Sequence, residues 1–111
     1  MPISVSSQPS YIATRELTAV DLSQSSFTIR IAIGLPYETE QGNWRCPLAL
    51  DGLHTPLKGA VGIDAFQALM LTQQLARTLL SAFVERGGRL LYGPSGEEVS
   101  VQSLFDSGVL S

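Results

Sequence analysis

"GIDAFQALMLTQQLARTLLSAFVERGG", residues 62–88, decides the fold. Asp64 followed three residues later by Gln67 is a capping-box spacing, in which both side chains satisfy free N–H groups at a helix start. Gly87 and Gly88 supply a left-handed stop, and Arg86 suits the negative end of the helix dipole. Between these signals the spacing predicts one long helix. With residues placed about 100° apart, Ala65, Leu69, Ala76, Leu79, Leu80 and Phe83 share a broad stripe that is expected to face the core. Gln67, Gln74, Ser81 and Glu85 form a narrow polar stripe. Ala68, Leu71, Leu75 and Ala82, with Thr78 beside them, form a second row at the spacing of a helix–helix seam, and Phe66, Met70 and Val84 lie on the other flank. Either the rest of the chain covers these extra faces or a second protein does, because monomers rarely leave large apolar patches bare.

The segments around the helix read as strands. In "SFTIRIAIGLP", residues 26–36, Phe27, Ile29, Ile31 and Ile33 alternate with Thr28, Arg30 and Ala32. Period two with β-branched residues marks a half-buried strand. "YIATRELTAVD", residues 11–21, is strand-like as well. In "WRCPLALDG", residues 44–52, Trp44, Cys46, Leu48 and Leu50 alternate with Arg45, Pro47 and Ala49. Pro47 cannot donate a ladder hydrogen bond, so this strand is expected at an edge or with a bulge. After the helix, "RLLY" predicts a short strand, "GPSGEE" a turn and "VSVQSLF" a further strand. The order implies an α+β fold, an antiparallel meander of about four strands with one long helix packed on one face. Residues 1–10, rich in Ser, Gln and Pro, are expected to be a flexible arm, and residues 11–111 a single domain.

Composition narrows the function classes. Of 111 residues 15% are charged, against about 25% in a typical soluble domain, which favours a surface partly covered by a partner or a second copy. Net charge is -3 and Lys58 is the sole lysine. Without a basic patch to neutralise phosphates, nucleic acid is not an expected partner. One cysteine permits no internal disulfide and fits a reducing compartment. "MPISVSSQPS" has neither the basic residues nor the apolar run of a signal peptide. No apolar stretch approaches the ~18 residues of a membrane span. The cytoplasm is the expected location, with no membrane association.

No catalytic, metal or cofactor site is expected. Cys46, ahead of a proline on the apolar side of a strand, reads as a small hydrophobe. His54 sits in a loop near Asp51 and Lys58 without the partner spacing of a zinc site or a nucleophile elbow. "GAVGID", residues 59–64, places two glycines before a helix start, yet Asp64 would repel a phosphate there. The densest acidic groups are Glu38 and Glu40 in one loop and Glu97 and Glu98 in another. Arg45 adjoins the first loop, as does Trp44, which is expected in the core. Together Glu38, Glu40, Arg45, Glu97 and Glu98 are the candidate partner-binding residues, since charge steers association. Ala68, Leu71, Leu75, Thr78 and Ala82 are the candidate self-association residues.

Trp44, Cys46 and Pro47, then Gly62, Asp64, Gln67, Ala68 and Leu69, then Gly87, Gly88, Arg89 and Leu90 trace a pattern W-x-C-P, G-x-D-x-x-Q-A-L, G-G-R-L. This resembles a family of small bacterial domains of unknown function over residues 11 to 92, and the resemblance implies no activity. The functional expectation is a non-enzymatic protein-binding module, specifically a bacterial immunity protein or antitoxin that occludes a toxin domain. A self-associating adaptor domain, forming a homodimer, is the alternative. A small-molecule or enzymatic domain using a pocket near Cys46 and His54 is the third.

Overall fold

The computed structural model describes residues 10–54 and 57–106. The expected arm over residues 1–10 lies, apart from Ser10, outside the described residues. The architecture is α+β, with two antiparallel sheets and a long helix packed on them.

Strands β1 (Tyr11–Val20) and β2 (Ser26–Gly34) form a hairpin with Leu17 opposite Ile29 and Arg15 opposite Ile31. The Asp21 carboxylate holds its turn, accepting the Ser23 and Ser25 N–H groups at 2.9 and 3.0 Å. The alternation expected of residues 27–33 holds for Ile29 and Ile31, which are buried. Phe27 and Ile33 flank them and pack on the same core.

The 44–51 segment differs from expectation in an informative way. It is two strands, β4 (Trp44–Cys46) and β5 (Leu48–Asp51), on either side of Pro47. With β3 (Tyr37–Glu38), β6 (Ala60–Gly62) and β7 (Arg89–Leu91), they complete two sheets ordered β5-β2-β1-β7 and β3-β4-β6. The physical reason lies at Pro47. It has no N–H to offer a ladder, while its carbonyl accepts the Gly34 N–H at 2.9 Å. A Cβ on Gly34 would stand 2.7 Å from the Pro47 ring. The bare Gly34 backbone lets the proline corner pack there, and the chain changes sheet at that point.

Helix α1 (Ala65–Glu85) has the ends that its sequence prescribes. Asp64 Oδ1 accepts the Gln67 N–H at 2.8 Å, and Gln67 Oε1 reaches back to the Ile63 N–H at 2.8 Å. At the other end Gly87, at φ +101, turns the chain. Gly88 N–H donates to Phe83 O and Gly87 N–H to Val84 O, the paired bonds of a Schellman stop.

The buried row of α1 is Ala68, Thr72, Ala76, Leu80 and Phe83. Ala76, Leu80 and Phe83 fall on the expected stripe, whereas Ala65, Leu69 and Leu79 are half-buried at its borders. Small residues at 68, 72 and 76 let the helix approach the strands closely. Ala76, Leu80 and Phe83 meet Leu17, Ile29, Ile31, Leu48, Leu50 and Leu90 in one core, with Phe83 edge-on to Phe27 at 6.0 Å.

The expected final strand over 99–105 is instead a short helix, α2 (Val101–Asp106). Only a single bridge, Leu91 to Glu98, precedes it. Ser100 Oγ accepts the Ser103 N–H at 3.0 Å, so a local hydroxyl starts the helix. Arg77 of α1 grips Asp106 through two hydrogen bonds of 2.8 and 2.7 Å and lies over Phe105, tying α2 to α1.

Candidate protein-binding face

The small sheet carries the N-terminal end of α1. Glu38 pairs with Trp44, and Trp44 pairs with Gly62, so the three form a row across the sheet. A Cβ on Gly62 would stand 2.6 Å from the Ala68 nitrogen. The row therefore faces the helix, and glycine is what allows the close approach. At a strand spacing of about 4.8 Å, Glu38 sits about 10 Å from the residue that leads into α1. Glu40 follows in the β3–β4 turn and is exposed.

Three apolar side chains project from this end. Ile63 is 78% exposed, Phe66 73% and Met70 39%. Phe66 and Met70, four residues apart, lie on one side of the helix, and Ile63 precedes its N-cap. Ile63 occupies the position before the N-cap, where an apolar residue often packs on the fourth helical residue. Here that residue is Ala68, small and wholly buried, so Ile63 has nothing to close on and stays in solvent. Phe66 and Met70 were legible as a flank of the helix. Ile63 carries a fainter signal, a large aliphatic residue set against an alanine five positions on.

The other predicted residues scatter. Glu97 and Glu98 follow β7 beyond the far end of α1, where Glu98 lies 3.8 Å from Arg89. A helix of 21 residues is about 30 Å long, so the two acidic pairs belong to opposite ends of the molecule. Arg45 points to the other face of the small sheet from Trp44, half-buried, and donates to the Gly59 carbonyl at 3.0 Å. Its guanidinium is occupied in holding the connection that leads into β6. Trp44, expected in the core, is half-buried.

The self-association row is corrected at two positions. Ala68 is buried against the small sheet, and Leu75 packs on the chain's own core. Leu71 at 36% exposure and Thr78 reach solvent, with Ala82 half-buried between them and the core. The seam is thereby reduced to two exposed side chains two turns apart.

Cys46 and His54 do not converge. The Cys46 thiol is buried at the junction of the sheets, donates to Gly34 O at 3.4 Å, and is pushed up in pKa by burial. His54 is exposed in a tight turn that bridges back to Leu50. Among the described residues no group of three or more His, Cys, Asp or Glu side chains is placed to hold a metal ion. No helix among them is long and apolar enough to cross a membrane.

Two antiparallel sheets and one capped helix, with an apolar strip left bare at the helix start, define a small α+β domain. A family model described as a domain of unknown function, DUF6968, matches residues 13–101, and the chain belongs to that family. No curated protein and no solved structure matches it.

Proposed function

We propose that the chain is a non-enzymatic protein-binding module that neutralises a bacterial toxin domain by covering its working surface. The observation that carries this reading is the strip Ile63, Phe66 and Met70, bare at the start of a doubly capped helix. Large side chains on a pre-formed element lose little conformational freedom on binding, so their burial is retained as affinity. The acidic pair Glu38 and Glu40 flanks the same end. It supplies a negative rim that steers encounter with a basic cleft, of the kind that holds nucleic acid or nucleotide. Occlusion would be steric, with the apolar strip seated and the acidic rim opposite the cleft's cations.

The test is co-expression with the product of the neighbouring gene. The wild-type chain is expected to co-purify with it and to relieve its toxicity. Phe66→Asp combined with Met70→Asp is expected to abolish both while the fold survives. Full toxicity in the presence of folded wild-type chain would overturn the proposal.

A further inference from the structure

The hydrogen-bonding sides of the large sheet can be assigned strand by strand. In β2, Gly34 N–H turns towards Pro47 O and Leu35 N–H towards Ser10 O. Even residues of β2 thus face β5, and odd residues face β1. The pairs Ile31–Arg15 and Ile29–Leu17 therefore carry the β1–β2 bonds, and the even residues of β1 point their main-chain groups the other way. The far side agrees. Tyr92 N–H donates to Glu97 O and Val99 N–H to Leu90 O, which leaves Leu91 and Arg89 to bond with the even residues Thr18 and Val20.

Strand β7 covers that side of β1 only from Thr18 to Val20. Among the described residues nothing pairs with the outer side of Tyr11–Leu17, so the N–H and C=O groups of Thr14 and Glu16 face outwards unpaired. Ile12 is the extra residue of a bulge in this stretch and is 57% exposed. A groove of about 360 Å³ runs beside it, lined by Ala13, Arg15, Ile31, Gln73, Leu104 and Phe105. A bare edge is a template for another strand.

We infer that this edge pairs with the same edge of a second copy, antiparallel, joining two four-stranded sheets into one. The free stretch runs from the start of β1 to Leu17, just before Thr18 meets Leu91 at the end of β7, and Thr14 is its midpoint. A two-fold axis at Thr14 therefore matches free stretch to free stretch. It sets Thr14 against Thr14 of the copy and Arg15 against Ala13, with Glu16 falling opposite the bulge at Ile12. No like charges are opposed. A slide that centres the axis on Arg15 would oppose two guanidiniums and is disfavoured. A C2 contact of this kind uses one surface patch twice. The low charge content, 15% of residues, fits a surface that is covered in part. This pairing uses the sheet edge and leaves the Ile63–Phe66–Met70 strip free, so it stands or falls apart from the proposed function.

Sedimentation of the full chain over a wide concentration range tests it. The wild type is expected to show a reversible monomer–dimer equilibrium. Thr14→Pro removes an N–H that faces only the open edge, and is expected to leave a folded monomer. Should that variant fail to fold, Ala13 provides a readout of opposite signs at an exposed position. Ala13→Glu places a carboxylate opposite Arg15 of the copy and tightens the dimer, while Ala13→Arg opposes like charges and loosens it. Each is expected to change the dimer Kd about 2- to 30-fold over its two symmetric contacts. A wild type that stays monomeric at high concentration overturns the inference. So does a dimer indifferent to both Ala13 variants, or one dissolved by Leu71→Asp instead.

Discussion

The Thr72 hydroxyl donates to the Cys46 carbonyl at 3.0 Å and accepts the Ala60 N–H at 2.8 Å. A single helical side chain thus joins α1 to strands β4 and β6 of the small sheet. Thr72 is wholly buried, so neither strand group has water to turn to. Thr72→Val keeps the shape and removes the hydroxyl. It is expected to cost about 1–3 kcal/mol, the cost of leaving a buried polar group unpaired. Thermal melting should fall by roughly 4–12 °C. Thr72→Ser, which keeps the hydroxyl, should lose clearly less. An equal loss in both variants would assign the effect to packing instead.

Gly62→Ala tests the close approach at the start of the helix. The added methyl would meet the Ala68 nitrogen at 2.6 Å, and main chain cannot swing aside as a long side chain can. Overpacking of this sort costs about 1–3 kcal/mol. Because the strain falls where Ile63 and Phe66 project, partner binding should weaken along with stability. Gly93→Ala, where an added Cβ meets nothing within 4 Å, is the control and should change neither.

Phe66→Ala is expected to leave stability within about 0.5 kcal/mol of the wild type, as for other surface changes. The ring is 73% exposed and contributes little to the core. Leu80→Ala, a wholly buried residue about four turns on, should cost about 2–5 kcal/mol. Urea unfolding of the two variants separates a docking residue from a structural one. A large stability loss in Phe66→Ala would show that the strip is needed within the chain.

Asp106 and Arg77 predict a pH dependence. The hydrogen-bonded Arg77 guanidinium holds the Asp106 carboxyl below its ordinary pKa. A group depressed in the folded state stabilises above its unfolded pKa, about 3.9, and that contribution is lost as pH falls through the lower folded value. The attachment of α2 should therefore be present at neutral pH and released in acid. Amide exchange in Val101–Asp106 is expected to speed up below about pH 4 relative to the intrinsic rate. Asp106→Asn should show the faster exchange at neutral pH and little further change on acidification. Both partners are exposed, so the effect on global stability is expected to be small.

The Cys46 thiol should resist modification. Burial raises its pKa, and thiolate, not thiol, is the reactive form. An aromatic disulfide reagent at neutral pH is expected to label it only when the protein unfolds. Rapid labelling of the folded chain would contradict the burial.

What the linear sequence determined about this protein is local. The ends of α1 follow from Asp64, Gln67 and Gly87, whose bonds span only a few residues. The Ile29–Ile31 alternation of β2 likewise states its own buried face, and the α+β class follows from the order of such elements. Tertiary structure decided what depends on who packs against whom. Pro47 signalled an interrupted ladder, but a change of sheet required the bare Gly34 backbone thirteen residues away in sequence to receive it. The turn of α1 that brings Ala68 and Thr72 inward was hidden because a threonine counts as polar until two strand groups are found waiting for its hydroxyl. Residues 101–106 form a helix tied to α1 by Arg77 and Asp106, and do not extend the Leu91–Glu98 bridge into a strand. The bare strip at Ile63, Phe66 and Met70 has the same origin. Exposure is a property of everything around a side chain, and a residue's own chemistry does not contain it.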